Sequence, residues 1–162
     1  DTFLVLPRFF LAIIIVALFG TSIWNVAFVA GVTFWTAVAR VARSEALSIR
    51  EREFVLAARA VGSSSIAILF KEILPNVMPP VVVVSSLQVG SAILLEAGLS
   101  FIGLGDRSLR SLGLMLNDAQ QFLNTSWWLP LFPGTMIFLV VLAVNLVGDG
   151  LNDAINPKLK ER

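Results

Sequence analysis

The sequence predicts an all-α protein: a polytopic bundle of four transmembrane helices, with a helix-break-helix loop between the second and third. Three observations carry that prediction. The first is composition: hydrophobic residues make up 57% and charged residues 14% of 162, and mean hydropathy is +0.86, whereas about a quarter of a soluble domain is charged. The second is a set of long apolar runs, and the third is the way Lys and Arg collect on one side of them. Net charge is only +1, so there is no basic field of the kind that holds nucleic acid. The chain has no Cys, His or Tyr. That removes thiol nucleophiles, imidazole bases and the ordinary zinc sites in one step. It opens on Asp1 rather than Met, and its first run lacks the basic start and small-residue cleavage site of a signal peptide. A further N-terminal part of the natural protein is therefore expected.

A bilayer core of about 30 Å needs roughly 20 apolar residues at about 1.5 Å each. Runs near that length fall at 3–19, 23–41, 77–95 and 129–147. The first is the weakest, because it contains Pro7 and Arg8, and an arginine there needs a membrane face toward which it can snorkel. Arg40, Arg43, Arg50, Arg52, Arg59 and Lys71 lie between the second and third runs, and Lys158, Lys160 and Arg162 follow the fourth. The positive-inside rule makes both regions cytoplasmic. The segment 104–128 holds only Arg107 and Arg110 and meets the membrane at Trp127 and Trp128. It is therefore read as an external loop, and both chain ends as cytoplasmic.

Within the cytoplasmic loop, residues 48–75, Ser48 and Glu51 have the spacing of a capping box. This predicts a helix from Ile49 to about Ala60. Gly62 then supplies a residue able to take a left-handed backbone, and Ser63, Ser64 and Ser65 offer N-caps for a second helix. Ile66, Leu69, Phe70 and Ile73 share one helical face. Leu74, Pro75 and Asn76 are expected to end that helix, since proline disfavours helical geometry before it and has no N–H. Ala57 and Ala58 are small enough to let another surface approach the backbone. Periodicity does not name what covers the stripe: a helix pair lying on its own bundle and a partner-docking surface both fit.

The spans hold few polar groups. Glu96, counted from Pro75, falls near the outer interface, where both an interfacial structural role and a solute site are open. Asn145 is the second polar span residue of note. Pro79 and Pro80 are expected to kink or start the third span. Gly103 to Asp106 match the GxGD string of intramembrane aspartyl proteases, but no second Asp lies within the first three spans to share a proton with it. Asp149, Asn152, Asp153 and Asn156 lack the spacing and closing Glu of an EF-hand and read as caps and surface groups. Residues 120–128 read as a short interfacial element. A self-contained carrier or channel would need more midplane polar groups than Asn25, Ser85, Ser86, Gln88, Ser91 and Asn145 supply.

Leu56, Ala57 and Ala58, then Gly62, then Leu74 and Pro75 resemble the EAA loop of ABC importer permeases of the MetI-like superfamily. Two positions depart from that pattern: the leading Glu is Leu56, and Glu72 stands where an apolar residue is common. The likeness continues through 96–105 and 145–157, and is to the second permease subunit of dipeptide, oligopeptide and nickel importers. A tryptophan common before Gly113 is Leu112 here. The resemblance covers this chain and only the back part of the family's longer members. It implies a single permease domain over 1–162 that forms half of a translocation path and hydrolyses nothing. It also implies a second permease subunit, two ATPase subunits that carry ATP and Mg²⁺, and an extracytoplasmic solute-binding protein, in a bacterial or archaeal plasma membrane. The docking residues so implied are Leu56, Ala57, Ala58, Gly62, Ile66, Leu69, Phe70, Leu74 and Pro75.

Overall fold

The computed structural model describes residues 7–155. Phe3 to Leu6 of the first expected span, and Asn156, Pro157, Lys158, Lys160 and Arg162, lie outside the described residues, as do the side chains of Asn152 and Asp153. Every regular element among the described residues is helical: α1 (Arg8–Phe19), α2 (Ile23–Arg50), α3 (Glu53–Ala60), α4 (Ser65–Ile68), a π-turn (Leu69–Ile73), α5 (Leu74–Phe101), α6 (Leu112–Ala119), a 3₁₀ turn (Gln120–Phe122) and α7 (Trp128–Ile155).

Among the described residues three helices are long and apolar enough to cross a membrane: α2, the continuous stretch Ser65–Phe101, and the segment Trp128–Leu151 of α7. The helices α2, α5 and α7 have 28 residues each, about 42 Å of rise, which exceeds the roughly 30 Å of a hydrocarbon core. The described part of the first expected span is α1, a shorter apolar helix of 12 residues. Its Arg8 guanidinium stacks over the Phe34 ring at 5.1 Å, so the charge is met by an aromatic face as well as by any route to the interface.

By internal contact the chain divides into two units, residues 1–35 with 88–145 and residues 36–87 with 146–162. In the first unit the core joins Ala12 and Val16 of α1, Val26 and Val29 of α2, and Leu95 and Leu99 of α5. In the second unit it joins Ile49, Val55, Ile68 and Val77, with Ala58 and Ile73 packed against them.

Two expectations about helix ends are corrected. The helix predicted from Ile49 begins instead at Glu53, because α2 runs on through Ser48 to Arg50. The stretch 43–49 contains no Gly or Pro, so extending a formed helix by one bond per residue is favoured over nucleating a new one. The buried side chain of Ile49 then anchors the extension. The capping box is thus not formed, and Arg52 enters α3 with no side-chain cap. Nor does the second loop helix end at Pro75. The helical backbone passes from Ser65 to Phe101, with Pro75, Pro79 and Pro80 inside it. The π-turn explains this: the Leu74 N–H donates to Leu69 O, one residue further back than in an α-helix, and the widened turn makes room for a ring that would strike the carbonyl four residues before it. Asn76 Nδ2 donates to Glu72 O at 2.6 Å, adding a donor beside the position where proline has none.

Candidate functional site

In the loop, α3 ends in a full Schellman motif. Gly62 N–H donates to Arg59 O at 2.9 Å and Ser63 N–H to Ala58 O at 3.1 Å. Gly62 itself has φ +81°, a backbone that L side chains rarely adopt. An added Cβ there would meet nothing within 4 Å, so glycine is required by conformation rather than by space. Ser64 then caps α4, its Oγ accepting from Ala67 N–H at 3.2 Å. The predicted break between two helices is present, and Ser64 is the serine that caps.

The loop divides its apolar residues between two faces. Val55 and Ile68 are buried and close the inner cluster with Ile49 and Val77. On the other face Leu56, Ile66, Leu69, Phe70 and Leu74 are exposed, with Phe70 61% and Ile66 72% accessible. Ala57, Gly62 and Pro75 are exposed as well. Ala58 and Ile73 turn inward instead. Ile73 therefore leaves the predicted stripe, because the wider π-turn between Leu69 and Ile73 shifts its angular position. Phe54 and Val61, 41% and 82% accessible, join the outer face. The stripe counted only from Ser65 onward does not include them. These exposed large apolar side chains are gathered on one short loop.

The first unit carries the polar span residues. Ser100 Oγ donates to Glu96 Oε1 at 2.6 Å, a bond one helical turn along α5. Asn145 Oδ1 and Gln88 Oε1 are buried with no hydrogen-bond partner among the described residues. Asn145 packs on Gly90, where an added Cβ would stand 3.0 Å from Oδ1. Beyond Glu96, α5 ends in a second Schellman turn at Gly103, φ +88°, with Leu104 N–H donating to Leu99 O at 2.9 Å. The freed carbonyl of Phe101 accepts from Asn117 Nδ2 at 2.6 Å and from Gln120 Nε2 at 2.9 Å. Loop side chains thus satisfy the helix end.

Asp106 ties distant segments together. Its Oδ1 accepts from Ser108 Oγ at 2.6 Å and from Ser108 N–H at 3.0 Å. Its Oδ2 accepts from the N–H of Ile23, the first residue of α2, at 3.3 Å. These bonds, those from Ser108 foremost, hold the carboxyl below the ordinary value of 3.8. Trp127 and Trp128 meet edge to face, centroids 6.0 Å apart, and are exposed with Trp24, as interfacial aromatics are.

With this geometry in place, the sequence matches, over residues 1–161, the family described as binding-protein-dependent transport system inner membrane component. It is similar to the dipeptide transport system permease protein DppC of Alkalihalophilus pseudofirmus, 43% identical over 161 residues, covering 99% of this chain and 53% of that protein. It is also similar to the DppC of Escherichia coli K12, 41% identical over 162 residues, covering 99% and 54%. The chain spans about half the length of the curated relatives it matches.

Proposed function

Because the chain belongs to the family of binding-protein-dependent transport system inner membrane components, we propose that it forms part of the translocation path of an ATP-driven importer of short peptides. The observation that carries this reading is the outer face of the loop, where Phe54, Leu56, Val61, Ile66, Leu69 and Phe70 stand exposed around the Gly62 break. A separate ATP-hydrolysing subunit is the partner that fits this face. The inner face, through Val55 and Ile68, packs on Ile49 and Val77 of the long helices. A push on the outer face is therefore passed to α2 and α5 as a rigid displacement, the kind of movement that lets helices tilt between two states. Leu56, in place of an acid, makes the contact one of shape and apolar area.

In this reading the chain contributes no catalytic group and binds no nucleotide, ATP and Mg²⁺ residing on the partner ATPases. A second permease subunit completes the path, and a solute-binding protein delivers peptide from outside. Residues 104–128 face that side, and both ends of the chain lie in the cytoplasm of a bacterial or archaeal cell. The similarity to two dipeptide permeases supports the peptide class. Reconstituting the full-length permease pair in liposomes tests the reading. Dipeptide uptake should require the ATPase subunits and ATP together, and uptake by the membrane subunits alone would point instead to a self-contained carrier.

A further inference from the structure

The first unit contains a cavity of 480 Å³ between α2, α5 and the turn that follows α5. Its walls include Ala27, Ala30 and Ala92, and its rim carries Glu96, Asp106 and Arg110. The three charged groups are not equivalent. Both oxygens of Asp106 are engaged by Ser108 and Ile23, so this carboxylate serves the fold. Glu96 uses Oε1 to accept from Ser100, which holds the side chain and leaves Oε2 without a hydrogen bond among the described residues. Arg110 makes no ion pair among the described residues and lines the same space.

An acid held in place, a guanidinium and a wall of small apolar side chains match one chemical class closely: a short peptide with a free α-ammonium and a free α-carboxylate. Cavities of about 300 to 1,000 Å³ with few, well-placed polar groups are the usual form of small-ligand sites. We propose that this cavity is a peptide subsite of the transport path, with Glu96 receiving the ammonium and Arg110 the carboxylate. The alanines leave room for the side chains without selecting among them, so recognition rests on the two charged ends, which every dipeptide shares. Arg110 suits the carboxylate end because its planar fork donates to both oxygens at once. The proposal rests on the peptide-permease reading, and also gives Glu96 a role beyond interfacial structure.

Residues 1–162 hold no cysteine, so Ala92→Cys, in a full-length permease cleared of any other cysteine, places its one thiol in the cavity wall. In the assembled full-length transporter, the rate at which a water-soluble thiosulfonate modifies that thiol is measured with and without dialanine. Dialanine at about ten times its dissociation constant should slow modification roughly tenfold, while N-acetyl-dialanine amide, with neither charge, should give no protection. Adding Glu96→Gln or Arg110→Gln should weaken the protecting affinity roughly tenfold, the loss of one charge-assisted contact. Val89→Cys, on another part of the wall, reads the same quantity if the first variant fails to assemble. Equal protection by the blocked peptide, no protection at all, or a thiol that never reacts because another helix fills the cavity would each overturn the proposal. ATP-dependent uptake by the parent transporter separates the cases: with uptake intact only the subsite falls, and without it the permease reading falls too.

Discussion

At the scale of single residues, Gly62 and Asp106 each do one definable thing. Gly62 holds a left-handed backbone with open space where a side chain would go. Valine there costs about 1 to 2 kcal/mol of local conformational energy without striking the chain itself. Gly62→Val should therefore insert normally yet reorient α3 against α4, and ATP hydrolysis should run with transport reduced several-fold. Gly62→Asn, which tolerates this backbone, should recover most of the coupling, and equal loss in both variants would shift the cause from backbone to size. Asp106 gives a pH-dependent signature. Its folded pKa lies below the ordinary 3.8, so its contribution is fully present above the unfolded value of about 3.9 and fades as pH falls through the folded one. A carboxyl NMR titration should place the Asp106 midpoint below 3.8, and Asp106→Asn should remove the acid-side loss of order between the turn and the start of α2.

At the scale of elements, the segment 104–128 depends on one close approach. A Cβ on Gly113 would stand 2.5 Å from Ala97 O and 2.7 Å from Ser100 Cβ, so α6 lies directly on the end of α5. Gly113→Ala must push them apart, at about 1 to 3 kcal/mol for a crowded core. Limited proteolysis between 104 and 128 should speed up accordingly, while the loop 48–75 stays as resistant as before. The elements also show where sequence reasoning succeeds and where it fails. The break at Gly62 and the cap at Ser64 depend on neighbours within a few residues, so local rules find them. Ser48 and Glu51 obey the same local rule, but it is overridden by the continuation of α2 and the burial of Ile49. Pro75 is likewise absorbed by a π-turn that no periodicity signals, and that turn takes Ile73 out of the stripe.

At the scale of the whole molecule, the apolar runs and the positions of Lys and Arg carry the membrane reading, because a bilayer imposes length and charge rules on any sequence. Among the described residues three helices are long and apolar enough to meet the length rule, and α1 is the short one. The cavity was not readable in advance: it depends on the Asp106 to Ile23 tie across 83 residues and on Arg110 lining the same space as Glu96, neither of which spacing reveals. The apolar stripe of Ile66, Leu69 and Phe70 was readable in the sequence, while the exposure of Phe54 and Val61 beside it needed the fold. The central claim is that this surface meets an ATP-hydrolysing subunit, and cross-linking from a permease cleared of any other cysteine measures that contact directly. With Ile66→Cys in the full-length permease and a single cysteine scanned across the partner ATPase, short-arm cross-linking should give one major product between the two, its yield changing when ATP is bound. If the Ile66→Cys thiol reacts with a soluble thiol reagent yet gives no cross-linked product with any ATPase position in any nucleotide state, the account is contradicted.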